Sequence, residues 1–350
     1  MRANEVGNPT IDSLARMRAR PERPGMGPSD CGASRPLGPD FFIVGAPKCG
    51  TTSLNAYLGE HPAVFMAQKE QHYWGADLAE TWSKPTAEKY FGSFADSGDA
   101  LRRGEGSGWY LWSRDAAREI REYDPAARII IMLRNPVEML PSLHSQYLWD
   151  GIEDLTDFQE AFSAEMDRRQ GRRIPPHEGP NPWRLYYRDV VRFDKQVGRY
   201  FETFGRDKVH VVLFDDFVGD LPGAYRRVLE FLDVDPSYSP AFRVMNANKR
   251  VRSRRVKQSL RVLNDPSARL RHTGRCLVPV PAVRRLLVRS AASALKRLNT
   301  SVESRTPLDR VFRAELAAEL APGIDALGAL LQRDLTSWYR GRPDQPLANV

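Results

Sequence analysis

Along the chain, unbroken apolar runs alternate with stretches in which apolar residues recur every three or four positions. The first run is Phe41, Phe42, Ile43 and Val44, as a strand buried on both faces requires. Gly45 and Gly50 bound a tight turn, and helical spacing follows from Thr51 to Leu58, closed by Gly59 and the turn at His61-Pro62. A second run, residues 129–133, ends in Arg134. A helix is expected over 136–149, with Asn135 as cap and Pro136 where a missing N–H is harmless. A third strand is expected at 209–214, and helices at 116–123, 187–204, 225–232 and 308–335, the last broken or restarted near Pro322-Gly323. Residues 64–74 read as extended, and a period of two puts Glu70 and His72 on one side, Gln71 and Tyr73 on the other. Three apolar strands separated by helices predict an α/β fold, a parallel central sheet flanked by helices. No fixed repeat runs through the sequence, which excludes a solenoid or propeller.

Two stretches fall outside this alternation. Residues 1–37 carry repeated Pro and Gly and six arginines but no apolar h-region, and read as a disordered leader, not a secretory signal. Residues 171–183 hold Pro175-Pro176, Gly179-Pro180 and Pro182 among charges, a loop long enough to serve as a substrate-facing lid. The remainder, 38–345, is expected to form a single domain.

Composition changes the picture in one place. The net charge of +8 is concentrated in residues 249–297, where fifteen Lys or Arg meet one acid, Asp265, so the rest of the chain is net acidic. That basic insertion implies an anionic partner. Within it, residues 283–298 have helical apolar spacing with arginines alongside, which fits either an anionic membrane surface or a helix packed on the domain with its charges in water. No nucleic-acid reading motif accompanies the charge, so nucleic acid is not expected as a partner. Cys31, Cys49 and Cys276 are too scattered for a disulfide framework or a zinc site. No apolar run reaches the roughly 18 residues of a membrane span. A cytoplasmic protein is expected, with peripheral membrane attachment as the alternative.

The turn after the first strand can hold an anion, because bending at Gly45 and Gly50 points backbone N–H groups inward and the helix adds its positive end. A nucleotide triphosphatase loop carries its Lys after the second Gly. Here Thr51 stands in that place and the lysine lies inside the turn as Lys48. The second strand ends in Arg134, where such an enzyme would have a metal-holding Asp. Both departures argue against an ATP-using kinase and for a phosphate-rich nucleotide handled without a metal.

The segment Pro47-Lys48-Cys49-Gly50-Thr51-Thr52-Ser53-Leu54, and Leu133-Arg134-Asn135-Pro136 with Ser142 eight residues after Arg134, resemble the two nucleotide signatures of PAPS-dependent sulfotransferases. Residues Lys69-Glu70-Gln71-His72-Tyr73-Trp74 are similar to a stretch of the heparan-sulfate type branch, bacterial-type members included. The resemblance runs with gaps from about 41 to 339 and implies a P-loop-like sulfotransferase fold. It further implies that PAPS (3′-phosphoadenosine 5′-phosphosulfate) is the sulfuryl donor, with no metal required. Its 5′-phosphosulfate would be held by Lys48, Cys49, Gly50, Thr51, Thr52 and Ser53, and its 3′-phosphate by Arg134 and Ser142. Lys249 and Arg250 belong to the counterpart of a basic loop that closes over the nucleotide.

Glu70 is then the expected general base, Lys48 the cation for charge building on the bridging oxygen, and His72 a group that orients Glu70 or binds acceptor, or itself the base. Cys49 reads either as an oxidisable thiol or, better, as a small filler. Pro141 departs from the family pattern and puts the placement of Ser142 in question. A carbohydrate hydroxyl leads as acceptor, an amine or a small phenolic, lipid or natural product being the alternative. A nucleotide-binding or membrane-associated protein without turnover is the non-enzymatic reading. No oligomeric state follows from these features.

Overall fold

The computed structural model describes residues 37–340 apart from 80, 177, 180, 244–248, 252–299 and 303–306, with 249–251 and 300–302 described as backbone only. The leader and the 283–298 stretch lie outside the described residues, as does most of the basic insertion.

The domain is built on a five-stranded, all-parallel sheet. In chain order its elements begin β1 (Phe41–Gly45), α1 (Thr51–Gly59), β2 (Val64–Met66), α2 (Ala87–Gly92), β3 (Arg102–Gly106), α3 (Ala116–Tyr123), β4 (Arg128–Leu133) and α4 (Pro136–Asp150). There follow α5 (Phe158–Ser163), α6 (Glu165–Arg169), α7 (Tyr187–Val190), α8 (Phe193–Phe204), β5 (Val209–Leu213), α9 (Phe214–Gly219) and α10 (Leu221–Leu232). The last are β6 (Lys249–Val251), β7 (Thr300–Val302), α11 (Arg310–Leu331) and α12 (Ser337–Arg340). The sheet order β2-β3-β1-β4-β5 puts β1 at the centre, where Phe41, Phe42, Ile43 and Val44 are wholly buried. The turn after β1 and Arg134 after β4 therefore share the carboxyl edge of neighbouring strands, the edge at which open parallel sheets bind ligands.

The three apolar strands and the helices expected at 51–58, 116–123 and 136–149 fall where the periodicity puts them. β3 does not follow from it, because Arg102-Arg103-Gly104-Glu105-Gly106 has no apolar side chain. Its place is made by absence of bulk: a Cβ on Gly104 would overlap the Phe41 ring and the Met66 sulfur. Arg102 leaves the sheet to donate to the Leu232 carbonyl, and Arg103 donates to Ser97 Oγ at 3.1 Å.

Other expectations are corrected. The extended stretch 64–74 is a strand only over Val64–Met66 and irregular beyond. The helix expected over 187–204 is interrupted at Val191-Arg192. α11 runs unbroken through Pro322, since Phe312, Leu316 and Ala317 before the proline and Ile324, Leu327 and Gly328 after it are all buried. α4 is likewise continuous through Pro141 and keeps Ser142 buried. Asn135 fixes the start of α4 by accepting from Val137 N–H at 3.0 Å and donating Nδ2–H to the Trp338 carbonyl of α12 at 2.8 Å.

Candidate active site

The loop between β1 and α1 has its tightest point at Gly50, whose φ of 91° only glycine adopts readily. A Cβ there would also come within 3.2 Å of the Phe214 ring. Gly50 gives α1 no side-chain cap, so the first N–H groups of the helix are open to an anion. Thr51 is buried, Thr52 exposed and Ser53 half-buried along that first turn. Lys48 Nζ lies 3.4 Å from Gln146 Oε1, and Gln146 donates to Asp150 Oδ2 at 2.8 Å, both on α4. The lysine thus reaches the helix that carries Ser142 four residues before Gln146. The Cys49 side chain fits the filler reading better than that of an oxidisable thiol. It is wholly buried, its thiol donates to the Pro47 carbonyl at 3.4 Å, and burial pushes it up to about 12. It fills space and is not a thiolate.

Arg134 ends β4 half-buried, with its guanidinium carbon 4.7 Å from the centre of the Phe214 ring. That ring is the one packed against Gly50, so the loop after β1 and the end of β4 share a wall. The backbone of β6, which holds Lys249 and Arg250, pairs antiparallel with β7 and runs beside α4.

The loop after β2 brings Glu70 to this edge. Glu70 Oε2 lies 3.2 Å from His72 Nε2, and Glu70 Oε1 lies 3.7 Å from Lys69 Nζ. The expected sidedness holds without a strand. Glu70 and His72 face each other, while Gln71 reaches Ser93 beyond α2 and Tyr73 stacks on Tyr90 with ring centres 4.1 Å apart. His72 also stacks on Trp82 at 4.3 Å, with the planes 7° apart. Burial holds its imidazole below the usual histidine value, against the opposing pull of Glu70. Among the described residues its Nδ1 is buried without a hydrogen-bond partner, which disfavours a proton there. A neutral ring donating Nε2–H to Glu70 satisfies both facts.

Lys69, expected only as a cation beside Glu70, reaches further. Its ammonium donates to Thr51 Oγ1 at 2.8 Å and to Thr52 Oγ1 at 3.2 Å while lying beside Glu70. Burial pulls its pKa down, Glu70 opposing. One cation therefore ties the Glu70 carboxylate to the opening turn of α1. The signal available in the sequence was its position directly before Glu70. A second group, Glu105 with Ser107, Tyr90 and Tyr110, lies under the same loop and was missed. Among the described residues no cluster of His, Cys, Asp or Glu could hold a metal, and no helix is long and apolar enough to cross a membrane.

No family model matches the chain. A sulfotransferase from Alicyclobacillus acidocaldarius has a similar solved structure, with a TM-score of 0.60 and 26% identity over 86% of this chain and 98% of that one. Carbohydrate sulfotransferase 15 of Homo sapiens is 23% identical over 250 residues, 57% of this chain and 44% of the relative. Heparan sulfate glucosamine 3-O-sulfotransferase 6 of Homo sapiens is 29% identical over 131 residues, 37% of this chain and 36% of the relative. The chain spans less than half the length of these curated relatives. With the parallel sheet and its loop, these likenesses give the chain the fold of the sulfotransferases.

Proposed function

We propose that this protein moves a sulfuryl group from PAPS to a carbohydrate hydroxyl, with Glu70 as general base. The observation that carries the reading is the Lys69 bridge, which joins a carboxylate at the sheet edge to the hydroxyls that open α1. The residues present fit the donor: an uncapped helix start at Gly50, Lys48 inside the turn, and Arg134 with Ser142 for a second phosphate. PAPS supplies an activated sulfuryl group on a phosphate oxygen.

Glu70 accepts the proton of the acceptor hydroxyl as that oxygen bonds to sulfur, and the bond from sulfur to the bridging oxygen breaks. Lys48 and Lys69 offset the charge that builds on that oxygen, leaving adenosine 3′,5′-bisphosphate. His72 holds Glu70 in place through Nε2–H. Arg134 offers a planar fork to the 3′-phosphate, and the backbone of β6 is near enough to α4 for Lys249 and Arg250 to belong to the nucleotide side. The domain is read as 38–345 with the basic insertion as its appendage.

A ring-bearing small acceptor is the second reading, favoured by Trp82, Trp109 and Trp183, which pack together beside His72. Thermal unfolding tests the donor. Adenosine 3′,5′-bisphosphate at about a hundred times its Kd adds about 2.7 kcal/mol, which raises Tm by several degrees, insensitive to chelator. A rise only with ATP and Mg²⁺ contradicts the reading.

A further inference from the structure

Residues 71–76 form an irregular loop, yet each of their six backbone N–H groups is accepted by a side chain from one downstream stretch. Gln71 and His72 donate to Ser107 Oγ at 3.1 and 3.2 Å. Tyr73 and Trp74 donate to the Tyr110 hydroxyl at 2.8 and 3.3 Å. Gly75 and Ala76 donate to Glu119 at 2.9 and 3.1 Å. The Trp74 indole donates Nε1–H to the Tyr90 hydroxyl at 2.8 Å. A hydroxyl has one proton and two lone pairs. Each of these three hydroxyls therefore accepts from the loop only while its own proton points elsewhere.

All three protons point to Glu105. Ser107 and Tyr110 donate to its Oε1 at 2.6 and 2.8 Å, and Tyr90 donates to its Oε2 at 2.7 Å. An ionised carboxylate accepts and never donates, so it alone suits three converging O–H groups. A protonated acid or an amide would set a donor against a donor and turn one hydroxyl away from the loop. Glu105 is wholly buried on β3, and burial pushes it up to about 7, with Glu70 adding to the shift. Holding an anion there opposes stability, and what the arrangement secures is the loop that carries Glu70 and His72.

We propose that Glu105 is a positioning residue for sulfuryl transfer: it directs the protons of Ser107, Tyr110 and Tyr90 so that their lone pairs hold residues 71–74, and thereby Glu70 and His72, in place. The proposal rests on Glu70 being the base. Besides Glu70, the titratable groups facing Glu105 are Tyr90 from α2, Tyr110 from the segment after β3 and Tyr200 from α8, all raised by burial above the ordinary tyrosine range. None of these three phenols titrates near neutrality.

The test compares wild type, Glu105→Gln, Tyr110→Phe and Glu70→Gln. Transfer of ³⁵S from labelled PAPS to desulfated heparan sulfate and to 4-nitrophenol is followed against pH, and bisphosphate Kd and backbone amide exchange are measured in parallel. Glu105→Gln should lower kcat about 10- to 100-fold with Kd within about threefold, as expected when a reacting group is misplaced and binding is spared. Amides 71–74 should exchange faster while those of β1 and β4 do not. Wild-type kcat should rise with pH through about 7, as the competent anion forms, and that rise should vanish in Glu105→Gln. Tyr110→Phe should show the same split, which carries the test if Glu105→Gln does not fold. The proposal is overturned if either variant keeps wild-type kcat, or if kcat and bisphosphate affinity fall by the same factor. A Glu70→Gln protein with wild-type turnover would instead overturn the base assignment on which it rests.

Discussion

Replacing Arg134 by Lys isolates the contribution of its planar fork. Arg134 is half-buried and stacked on Phe214, so under the proposed function it would meet the 3′-phosphate from a partly dried position. At about 4 Å and an effective dielectric near 20, the gross attraction to one phosphate charge is about 4 kcal/mol. Loss of phosphate hydration takes back a large share, and a charged hydrogen bond nets about 1.5–3 kcal/mol. Arg134→Ala should therefore weaken adenosine 3′,5′-bisphosphate by about 10- to 150-fold, and Arg134→Lys should recover charge but not the bidentate geometry. Calorimetric titration with the bisphosphate and with adenosine 5′-monophosphate separates the 3′-phosphate from the rest, because the monophosphate should lose less than about twofold. Equal loss for both nucleotides, or none for either, would refute the placement of Arg134 at the 3′-phosphate.

The other predictions concern stability and pH. Gly104→Ala forces a Cβ into the Phe41 ring and the Met66 sulfur, and should lower stability by about 1–3 kcal/mol or more in chemical denaturation. Glu153 and Arg168 form a wholly buried pair with N–O distances of 2.7 and 2.9 Å. Glu153→Gln should cost about 3–5 kcal/mol and lower Tm by about 10 °C, with part of the loss recovered by adding Arg168→Met. His210 on β5 stacks on Phe231, and burial, with Arg227, holds it down at about 4. A depressed histidine contributes stability above its unfolded value near 6.5 and loses it as pH falls through 4. Urea titrations from pH 7 to pH 4 should show a loss on the order of 2 kcal/mol that His210→Gln flattens.

The parallel core was legible because β1, β4 and β5 are apolar runs long enough to be buried on both faces. β3 was not, since it earns its place through glycine at a crowded crossing and through arginines whose heads leave the sheet. Glu105 was unreadable for the same reason. Between arginines and glycines a carboxylate looks solvated, and its partners Tyr90 and Tyr110, though near in sequence, meet it only once α2 and the segment after β3 fold back on the strand. The facing of Glu70 and His72 was anticipated from a two-residue period, but its cause is different: side-chain acceptors from 107–119 hold the loop, and no ladder does. Lys48, Thr51 and Arg134 fall at the sheet edge as their motifs imply. The cysteine in the same motif turns inward, because a side chain at that point of the turn meets the core and not the loop's mouth. Lys69 shows the limit of a motif read one residue at a time, since its bridge to Thr51 and Thr52 depends on how β2 lies against α1.

The most direct measurement is transfer of ³⁵S from labelled PAPS to a panel of desulfated glycans, by wild type and by Glu70→Gln, with bisphosphate binding measured on the same two proteins. Label should move to a glycan hydroxyl with wild type and fall by at least about a hundredfold with Glu70→Gln, while the two bind bisphosphate alike. Undiminished transfer by Glu70→Gln, or bisphosphate binding without transfer to any acceptor by the wild type, would contradict the account.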